Sequence, residues 1–157
     1  MGGSKAPQHV LLLDFREVFK NSPMDAENSH TPTFSAMLID DDEDTRNIFE
    51  HLLGYYGVKT STFHCGNAAF DYLERNAPPD IILIDLHLPN PDGYTLARQF
   101  RTSALNIRSR LVATTEYHTS VTVGCSILSK FDAYLAKPLP HQLYLYLLGL
   151  VEVSNSV

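Results

Sequence analysis

The sequence predicts an α/β fold, a (βα)5 doubly wound sheet of five parallel strands in the flavodoxin-like order 2-1-3-4-5. Short apolar runs alternate with helical patterns from residue 34 onward, which is typical of a parallel sheet with helical crossovers. The run at 80–85 is apolar enough for a strand that is buried on both faces. Polar residues follow four of the five runs, and ligands bind at the carboxyl edge of such sheets.

The chain of 157 residues is long enough for one domain with a core and two tails. Residues 1–33 are predicted to be an N-terminal extension and linker, because 21–33 is polar and contains two prolines. Before the linker, four apolar side chains fall on one helical face: Leu11, Phe15, Val18 and Phe19. This segment is either a short amphipathic helix or a partly ordered tail. The domain itself is expected to span 34–152, followed by a tail at 153–157.

Two strand–helix units open the domain. The apolar residues 36–39 predict the first strand, and 44–55 follow as an amphipathic helix that ends near a glycine. Residues 58–63 are rich in β-branched side chains and predict the second strand. A helix is predicted over 67–76, because prolines shortly beyond it end the helical pattern.

The third strand precedes a turn and a helix at 94–102. A fourth strand is predicted at 110–114, a fifth at 133–136 and a last helix at 140–151. The segment 121–124 contains two valines and a glycine, which are weak helix formers. The helix between the fourth and fifth strands is therefore expected to be short, shifted or mobile.

The charge is concentrated in one run and argues against nucleic-acid binding. The formal net charge is −6, and five of the 18 acidic residues stand at 40–44, which leaves 13 against 12 Lys and Arg. No basic patch is evident that could contact phosphates. Cys65 and Cys125 stand far apart, which favours the reducing cytoplasm. No apolar run reaches the roughly 18 residues of a membrane span, so no membrane insertion is expected.

Chemically useful side chains follow four predicted strands, in chain order Asp40 with Asp41, Asp85, Thr114 and Lys137. In the order 2-1-3-4-5 the first and third strands are neighbours, so Asp41 and Asp85 could share a metal. Three carboxylates in one pocket suit Mg²⁺, which prefers oxygen ligands. Without a metal, their repulsion should raise the pKa of at least one of them. The outer acids at 42–44 are expected to be a solvated start to the helix.

These residue types suit the transfer of a phosphoryl group to a carboxylate. An Asp that is held ionised by a metal and a nearby Lys can act as a nucleophile on phosphorus. Lys137 and Mg²⁺ would stabilise the phosphoryl oxygens, and the Thr114 hydroxyl could donate to one of them. The product would be a phospho-Asp.

Four short segments carry the most specific pattern in the chain: 38–42 (Leu-Ile-Asp-Asp-Asp), 84–93 (Ile-Asp-Leu-His-Leu-Pro-Asn-Pro-Asp-Gly), 112–116 (Val-Ala-Thr-Thr-Glu) and 132–138 (Asp-Ala-Tyr-Leu-Ala-Lys-Pro). Each is weak alone, but all four occur in order and at suitable spacing. Through them, residues from about 35 to 151 resemble a response-regulator receiver domain of two-component signal transduction, with the fold of the chemotaxis regulators. The resemblance implies a signalling receiver that catalyses its own phosphorylation and dephosphorylation, and not an enzyme.

The resemblance also assigns roles to the site residues. It implies that Asp85 is the phospho-acceptor, and that Lys137 and Thr114 engage the phosphoryl group. It implies that Mg²⁺ is held by Asp40, Asp41, Asp85 and the main-chain carbonyl of His87. No other cofactor is implied.

Further roles concern the switch and the lifetime of the phosphate. The resemblance implies that Tyr134 is an aromatic switch that turns inward together with Thr114. It also implies that His87 and Glu116 tune dephosphorylation. His87 departs from the Met or Asn that is frequent at this position of the family.

The expected partners are proteins. The resemblance implies that a histidine kinase or a histidine phosphotransfer protein supplies the phosphoryl group. The output would pass through the Tyr134 and last-helix face to an unknown partner protein. The last helix is apolar on nearly all sides, so either a second copy of the chain in a homodimer or the N-terminal segment is expected to cover it.

Two other functions also fit parts of the pattern. A Mg²⁺-dependent phosphatase of the haloacid-dehalogenase type also uses a strand-end Asp, but it expects Asp-x-Asp-x-Thr, and the fifth residue from Asp40 is Asp44. A pseudo-receiver would bind partners without phosphorylation. The presence of Asp85 and Lys137, with the other site residues, argues against it.

Overall fold

A computed structural model describes residues 34–105, 107–116 and 130–155. The strands in these ranges are β1 (Ser35–Ile39), β2 (Lys59–Phe63), β3 (Ile81–Asp85), β4 (Arg110–Thr115) and β5 (Ala133–Ala136). The helices in these ranges are α1 (Glu43–Gly54), α2 (Gly66–Leu73), α3 (Gly93–Thr102) and α4 (Leu143–Asn155). The predicted N-terminal segment and the helix expected around 121–124 lie outside the described residues. None of the described helices is long and apolar enough to span a bilayer.

The five strands form one parallel sheet in the order β2-β1-β3-β4-β5, which confirms the predicted topology. β3 is the central strand, and all five of its residues are buried. Its last residue, Asp85, pairs with Thr114 of β4. On the other side, Ile39 at the end of β1 pairs with Ile84. The register therefore brings the ends of β1, β3 and β4 to one edge of the sheet.

Two hydrophobic clusters cover the two faces of the sheet, because successive strand residues point in opposite directions. One cluster joins alternate strand residues to α1 and α4, through Leu38, Leu83, Phe49, Leu53, Leu143 and Leu147. The other joins the intervening strand residues to α2 and α3, through Ile39, Ile84, Ala69, Leu73, Leu96 and Phe100. This packing makes the sheet a rigid base for the side chains at its carboxyl edge.

The last helix differs from its prediction at both ends. It begins at Leu143 instead of residue 140, because the chain first makes a turn in which the Leu143 N–H donates to the Pro140 carbonyl at 2.9 Å. It runs to Asn155, past the predicted start of the tail at residue 153. Its apolar side chains up to residue 151 are buried or half-buried in the first cluster, so none of them is a fully exposed apolar group. The predicted homodimer is not needed to explain their burial and stays a prediction.

Candidate functional site

Four strand ends place polar side chains at the carboxyl edge of the sheet. Asp40 directly follows β1 and is 0% exposed, and Asp85 ends β3 with 4% exposed. Thr114 of β4 is fully buried beside Asp85 in the register. Lys137 directly follows β5, and its N–H donates to the Thr115 carbonyl at 2.8 Å. The sheet thus brings these predicted residues together, as expected from the strand order.

Asp40, Asp41 and Asp85 form a carboxylate cluster. One oxygen of each side chain lies within 4.8 Å of the others. Asp41 is exposed, whereas the other two are buried, so the cluster opens to solvent on the Asp41 side. The Asp40 backbone is held by its N–H, which donates to the Phe63 carbonyl at 3.0 Å, and its Oδ1 accepts from the Asp42 N–H at 3.0 Å.

Lys137 is the cation of this cluster. Its Nζ lies 2.7 Å from Asp40 Oδ2 and donates to Asp85 Oδ2 at 3.0 Å, while its side chain is 9% exposed. Burial by itself would lower the pKa of Lys137, but its contacts with Asp40 and Asp85 together outweigh burial and raise the pKa. Lys137 therefore stays charged at neutral pH, and its ammonium group contacts two of the three carboxylates.

The pKa of Asp40 is raised, chiefly because the carboxyl group is buried. The contacts with Lys137 and with the Asp42 N–H lower it in part, and repulsion from Asp85 adds only a smaller increase. The prediction that one of the clustered acids has a raised pKa is confirmed. The predicted cause, repulsion between the carboxylates, is wrong as the main cause. The loss of hydration at this fully buried position raises the pKa of Asp40 more than repulsion from Asp85 does.

The loop after β3 fixes the Asp85 carboxylate from the other side. Its Oδ1 accepts from the His87 N–H at 2.9 Å, and the Leu86 N–H donates to the Thr114 carbonyl at 3.0 Å. The His87 Nδ1 lies 3.9 Å from Asp85 Oδ1, with the side chain 58% exposed. Both oxygens of Asp85 therefore have a donor, which sets the plane of the carboxylate.

Gly93 makes this loop possible, and the sequence pattern did not reveal why. A Cβ at this position would lie 2.3 Å from the main-chain oxygen of Asp85 and 2.8 Å from Leu86 Cα. Both are backbone atoms that cannot rotate away. The first residue of α3 must therefore be a glycine if the chain is to fold back onto the end of β3.

Thr114 and Tyr134, the predicted switch pair, both present buried hydroxyl groups. Neither hydroxyl has a hydrogen-bond partner within the described part of the chain. Burial, with a smaller effect of the nearby Tyr94, raises the pKa of Tyr134 to about 12. The ring of Tyr134 packs 5.9 Å from that of Phe131, and its main-chain carbonyl accepts from the Tyr146 hydroxyl of α4 at 3.1 Å. Glu116, predicted to tune dephosphorylation, follows β4 and is exposed.

The acidic run divides as predicted. Asp42 is the N-cap of α1, and its carboxylate accepts from the Thr45 N–H at 2.9 Å. The side-chain and main-chain hydrogen bonds from Thr45 lower the pKa of Asp42. Glu43 and Asp44 are exposed in the first turn of the helix, where negative charge suits the helix dipole.

Arg46 is a site residue that the sequence analysis missed. It lies in the first turn of α1, and its Nη1 donates a 2.7 Å hydrogen bond to the main-chain carbonyl of Asp40. A signal was present in the sequence, because a cation is unfavourable at the positive end of the helix dipole.

The cluster fits a hard divalent cation such as Mg²⁺. All three side chains offer carboxylate oxygens, which Mg²⁺ and Ca²⁺ prefer over nitrogen or sulfur. Three carboxylates outnumber the Lys137 ammonium that contacts two of them, and a divalent ion would offset the excess negative charge. The exposed side of Asp41 leaves room for the waters that Mg²⁺ retains.

Comparison with known sequences gives one family and several relatives. The family profile described as "Response regulator receiver domain" matches residues 36–146. The chain is 32% identical over 128 residues to the hybrid signal transduction histidine kinase D of Dictyostelium discoideum, covering 77% of this chain and 8% of that protein. It is 28% identical over 109 residues to the transcriptional regulatory protein YxdJ of Bacillus subtilis, covering 69% of this chain and 46% of that protein. The chain thus spans less than half the length of either relative.

Solved structures have the same fold. A CheY-like response regulator receiver domain from Methylobacillus flagellatus superposes with a TM-score of 0.67 at 24% identity, over 76% of this chain and 98% of that one. The receiver domain of the sensor histidine kinase PA1611 from Pseudomonas aeruginosa gives a TM-score of 0.63 at 25% identity, over 75% of this chain and 96% of that one. In that structure a magnesium ion is coordinated in the active-site cleft.

Proposed function

Because the chain belongs to the family of response regulator receiver domains of two-component signalling, we propose that Asp85 is its phospho-acceptor. The donor would be a phosphohistidine of a histidine kinase or of a histidine phosphotransfer protein. One observation carries the assignment: Asp85 is a buried carboxylate with Lys137 Nζ at 3.0 Å, in a pocket shared with Asp40 and Asp41. The predicted cytoplasmic location stays a prediction.

In the proposed step an oxygen of the Asp85 carboxylate attacks the phosphorus of the donor. The O–P bond forms as the N–P bond of the phosphohistidine breaks, and the imidazole nitrogen keeps the electron pair. Lys137 remains protonated and offers positive charge to the phosphoryl oxygens. The fixed plane of the carboxylate favours the reaction, because phosphoryl transfer depends mainly on positioning and charge stabilisation.

The metal ligands are proposed to be Asp40, Asp41, Asp85 and the main-chain carbonyl of His87. When bound, Mg²⁺ would supply positive charge for the phosphoryl oxygens and reduce repulsion between the acids and the incoming anion. Asp40 and Asp85 are held by Lys137 and by main-chain N–H groups, so the pocket is preorganised for such an ion.

The signal is proposed to leave the site through Thr114 and Tyr134. A phosphoryl group on Asp85 would offer an acceptor to the Thr114 hydroxyl, which has no partner in the described residues. We propose that movement of Thr114 is relayed from β4 to Tyr134 of the neighbouring strand β5. The main-chain carbonyl of Tyr134 is in turn bonded to the Tyr146 hydroxyl of α4. The β5 and α4 face is then the surface that a partner would read. His87 and Glu116 flank the site and are proposed to tune hydrolysis of the phospho-Asp.

The test is phosphorylation followed by intact mass. The full chain is incubated with acetyl phosphate and Mg²⁺, and one added phosphoryl group is expected. Asp85→Asn should gain none, chelation of Mg²⁺ should suppress the gain, and Asp71→Asn, an exposed acid of α2, should behave as wild type. Failure of the wild type to gain mass would reject the assignment and favour a receiver that binds partners without phosphorylation. An equal gain in Asp85→Asn would also reject it, because the phosphoryl group would then sit on another residue.

A further inference from the structure

Arg46 stands where a helix does not favour a cation. It is the fourth residue of α1, and the positive end of the helix dipole lies at this terminus. Glu43 and Asp44 open the helix, and their negative charges are favourable at its positive end. A local departure from such a rule needs a compensating interaction elsewhere.

The compensating interaction is a contact with the backbone of the acid cluster. Arg46 Nη1 donates a 2.7 Å hydrogen bond to the main-chain carbonyl of Asp40, in a part-buried position. The Asp40 carboxylate is engaged elsewhere, by the Asp42 N–H at 3.0 Å and by Lys137 at 2.7 Å. Arg46 therefore acts on the main chain and leaves the carboxylates free of a second cation.

The carbonyl of Asp40 and the N–H of Asp41 belong to one rigid peptide plane. The Asp40 N–H is anchored to the Phe63 carbonyl at 3.0 Å, so Arg46 fixes the next peptide along the chain. The Asp41 carboxylate is exposed, and no hydrogen bond found among the described residues involves it. Its direction toward the other two acids therefore depends on the backbone that Arg46 holds.

We propose that Arg46 is a positioning residue for the metal site, which presents the Asp41 carboxylate to Mg²⁺ by fixing the peptide between Asp40 and Asp41. The proposal rests on the proposed function of the cluster as a Mg²⁺ site. Charge alone predicts the opposite effect, because a guanidinium repels a cation. If Arg46 were a bystander, its removal would tighten Mg²⁺ binding; if it positions Asp41, its removal weakens binding.

The first experiment measures the Mg²⁺ dissociation constant of the full chain by isothermal titration calorimetry. Arg46→Met keeps the length of the side chain but has no donor, and we expect binding about tenfold weaker, the effect of one charge-assisted hydrogen bond. Arg46→Lys keeps a donor and the charge and should recover part of the affinity. Arg98→Met removes an exposed arginine of α3 and should bind as the wild type does.

A second measurement separates positioning from general loss of structure. In phosphorylation by acetyl phosphate, Arg46→Met should need about tenfold more Mg²⁺ for the half-maximal rate, while the rate at saturating Mg²⁺ stays close to wild type. Urea unfolding in EDTA reports whether each variant is folded. If Arg46→Met does not fold, Arg46→Leu serves as the second neutral variant without a donor.

The outcomes are distinct for the two proposals. Unchanged or tighter Mg²⁺ binding by the folded neutral variant, with a wild type that binds Mg²⁺ and gains a phosphoryl group, would overturn the role of Arg46 alone. A wild type that binds no Mg²⁺ would overturn the metal site, and the role of Arg46 with it.

Discussion

Lys137 makes a buried acid pair tolerable at this edge of the sheet. An unpaired carboxylate at a fully buried position costs several kcal/mol. Lys137 contacts both buried acids, Asp40 and Asp85, and burial removes most of the solvent that would screen these contacts. Asp41 avoids the same cost because it is exposed. The site therefore keeps a net negative charge that can attract a metal ion. Of its three carboxylates, Asp40 and Asp85 are desolvated and Asp41 is not.

Gly93→Ala should disturb both folding and the acceptor loop. The added Cβ meets the backbone of Asp85 and Leu86 at 2.3 and 2.8 Å, so the loop must shift. We expect the free energy of unfolding to fall by roughly 1–3 kcal/mol, as in other overpacked sites, and Mg²⁺ binding to weaken. Urea unfolding and calorimetry measure the two effects.

Gly149→Ala is the matched control for Gly93→Ala. Gly149 lies inside α4, and a Cβ there would meet nothing within 4 Å. Alanine should raise the free energy of unfolding by roughly 0.5–1 kcal/mol, because glycine loses more backbone entropy in a helix. Equal stability changes in the two variants would show that the backbone of Asp85 and Leu86 does not require a glycine at position 93.

At the scale of elements, the sequence predicted those parts that depend on periodicity. β3 was identifiable because its first four residues are all apolar, as is typical of a strand that is buried on both faces. The convergence of Asp40, Asp85, Thr114 and Lys137 followed from the predicted sheet order, which the structure confirms. The start of α4 was predicted three residues early, because an apolar pattern does not distinguish the turn at Pro140 from the helix itself.

Contacts across elements could not be predicted in the same way. The hydrogen bond from Arg46 to the Asp40 carbonyl depends on where one side chain reaches after folding. The requirement for glycine at 93 arises only when α3 packs against the end of β3. The dominance of burial in the pKa of Asp40 also requires the folded environment, because the sequence shows neighbouring charges but not the loss of water.

The N-cap of α3 should make stability depend on pH. Asp92 accepts from the Thr95 N–H at 2.9 Å and from the Thr95 hydroxyl at 3.0 Å, and the main-chain hydrogen bond is the largest cause that lowers the pKa of Asp92. Because the pKa of Asp92 is lower in the folded chain than its unfolded value of about 3.9, the ionised carboxylate stabilises the fold at pH values above 3.9. This stabilisation is lost as the pH falls through the pKa of the folded state. Asp92→Ala should therefore lower the free energy of unfolding by roughly 0.5–2 kcal/mol at pH 6 and by less in acid.

Urea unfolding of wild type, Asp92→Ala and Asp92→Asn over a range of pH measures this effect. Asn caps helices about as well as Asp but does not titrate, so Asp92→Asn should stay near wild type at pH 6 and lose the pH dependence of this cap. A difference between wild type and Asp92→Ala that is the same at pH 6 and in acid would contradict a role for the ionised carboxylate.

At the scale of the whole molecule, the charge distribution couples the site to folding. The formal net charge is −6, and five acids stand at 40–44, so the remaining residues are nearly balanced. The buried acids stand at the carboxyl ends of β1 and β3, which are neighbours in the sheet. A ligand that neutralises their charge stabilises the sheet that holds them together, because it binds the folded chain and not the dispersed carboxylates of the unfolded one.

Mg²⁺ should accordingly raise the stability of the whole domain. At a free concentration about 100 times its dissociation constant, a ligand of the folded state adds about 2.7 kcal/mol to the free energy of unfolding. We expect thermal unfolding of wild type to shift upward by several degrees between EDTA and saturating Mg²⁺, with NaCl at equal ionic strength as the reference. Asp41→Asn should lose most of this shift, whereas Asp71→Asn, an exposed acid of α2, should keep it. Equal shifts in the two variants would mean that Mg²⁺ acts on surface charge in general, because Asp41 contributes an oxygen to the cluster of three carboxylates and Asp71 does not.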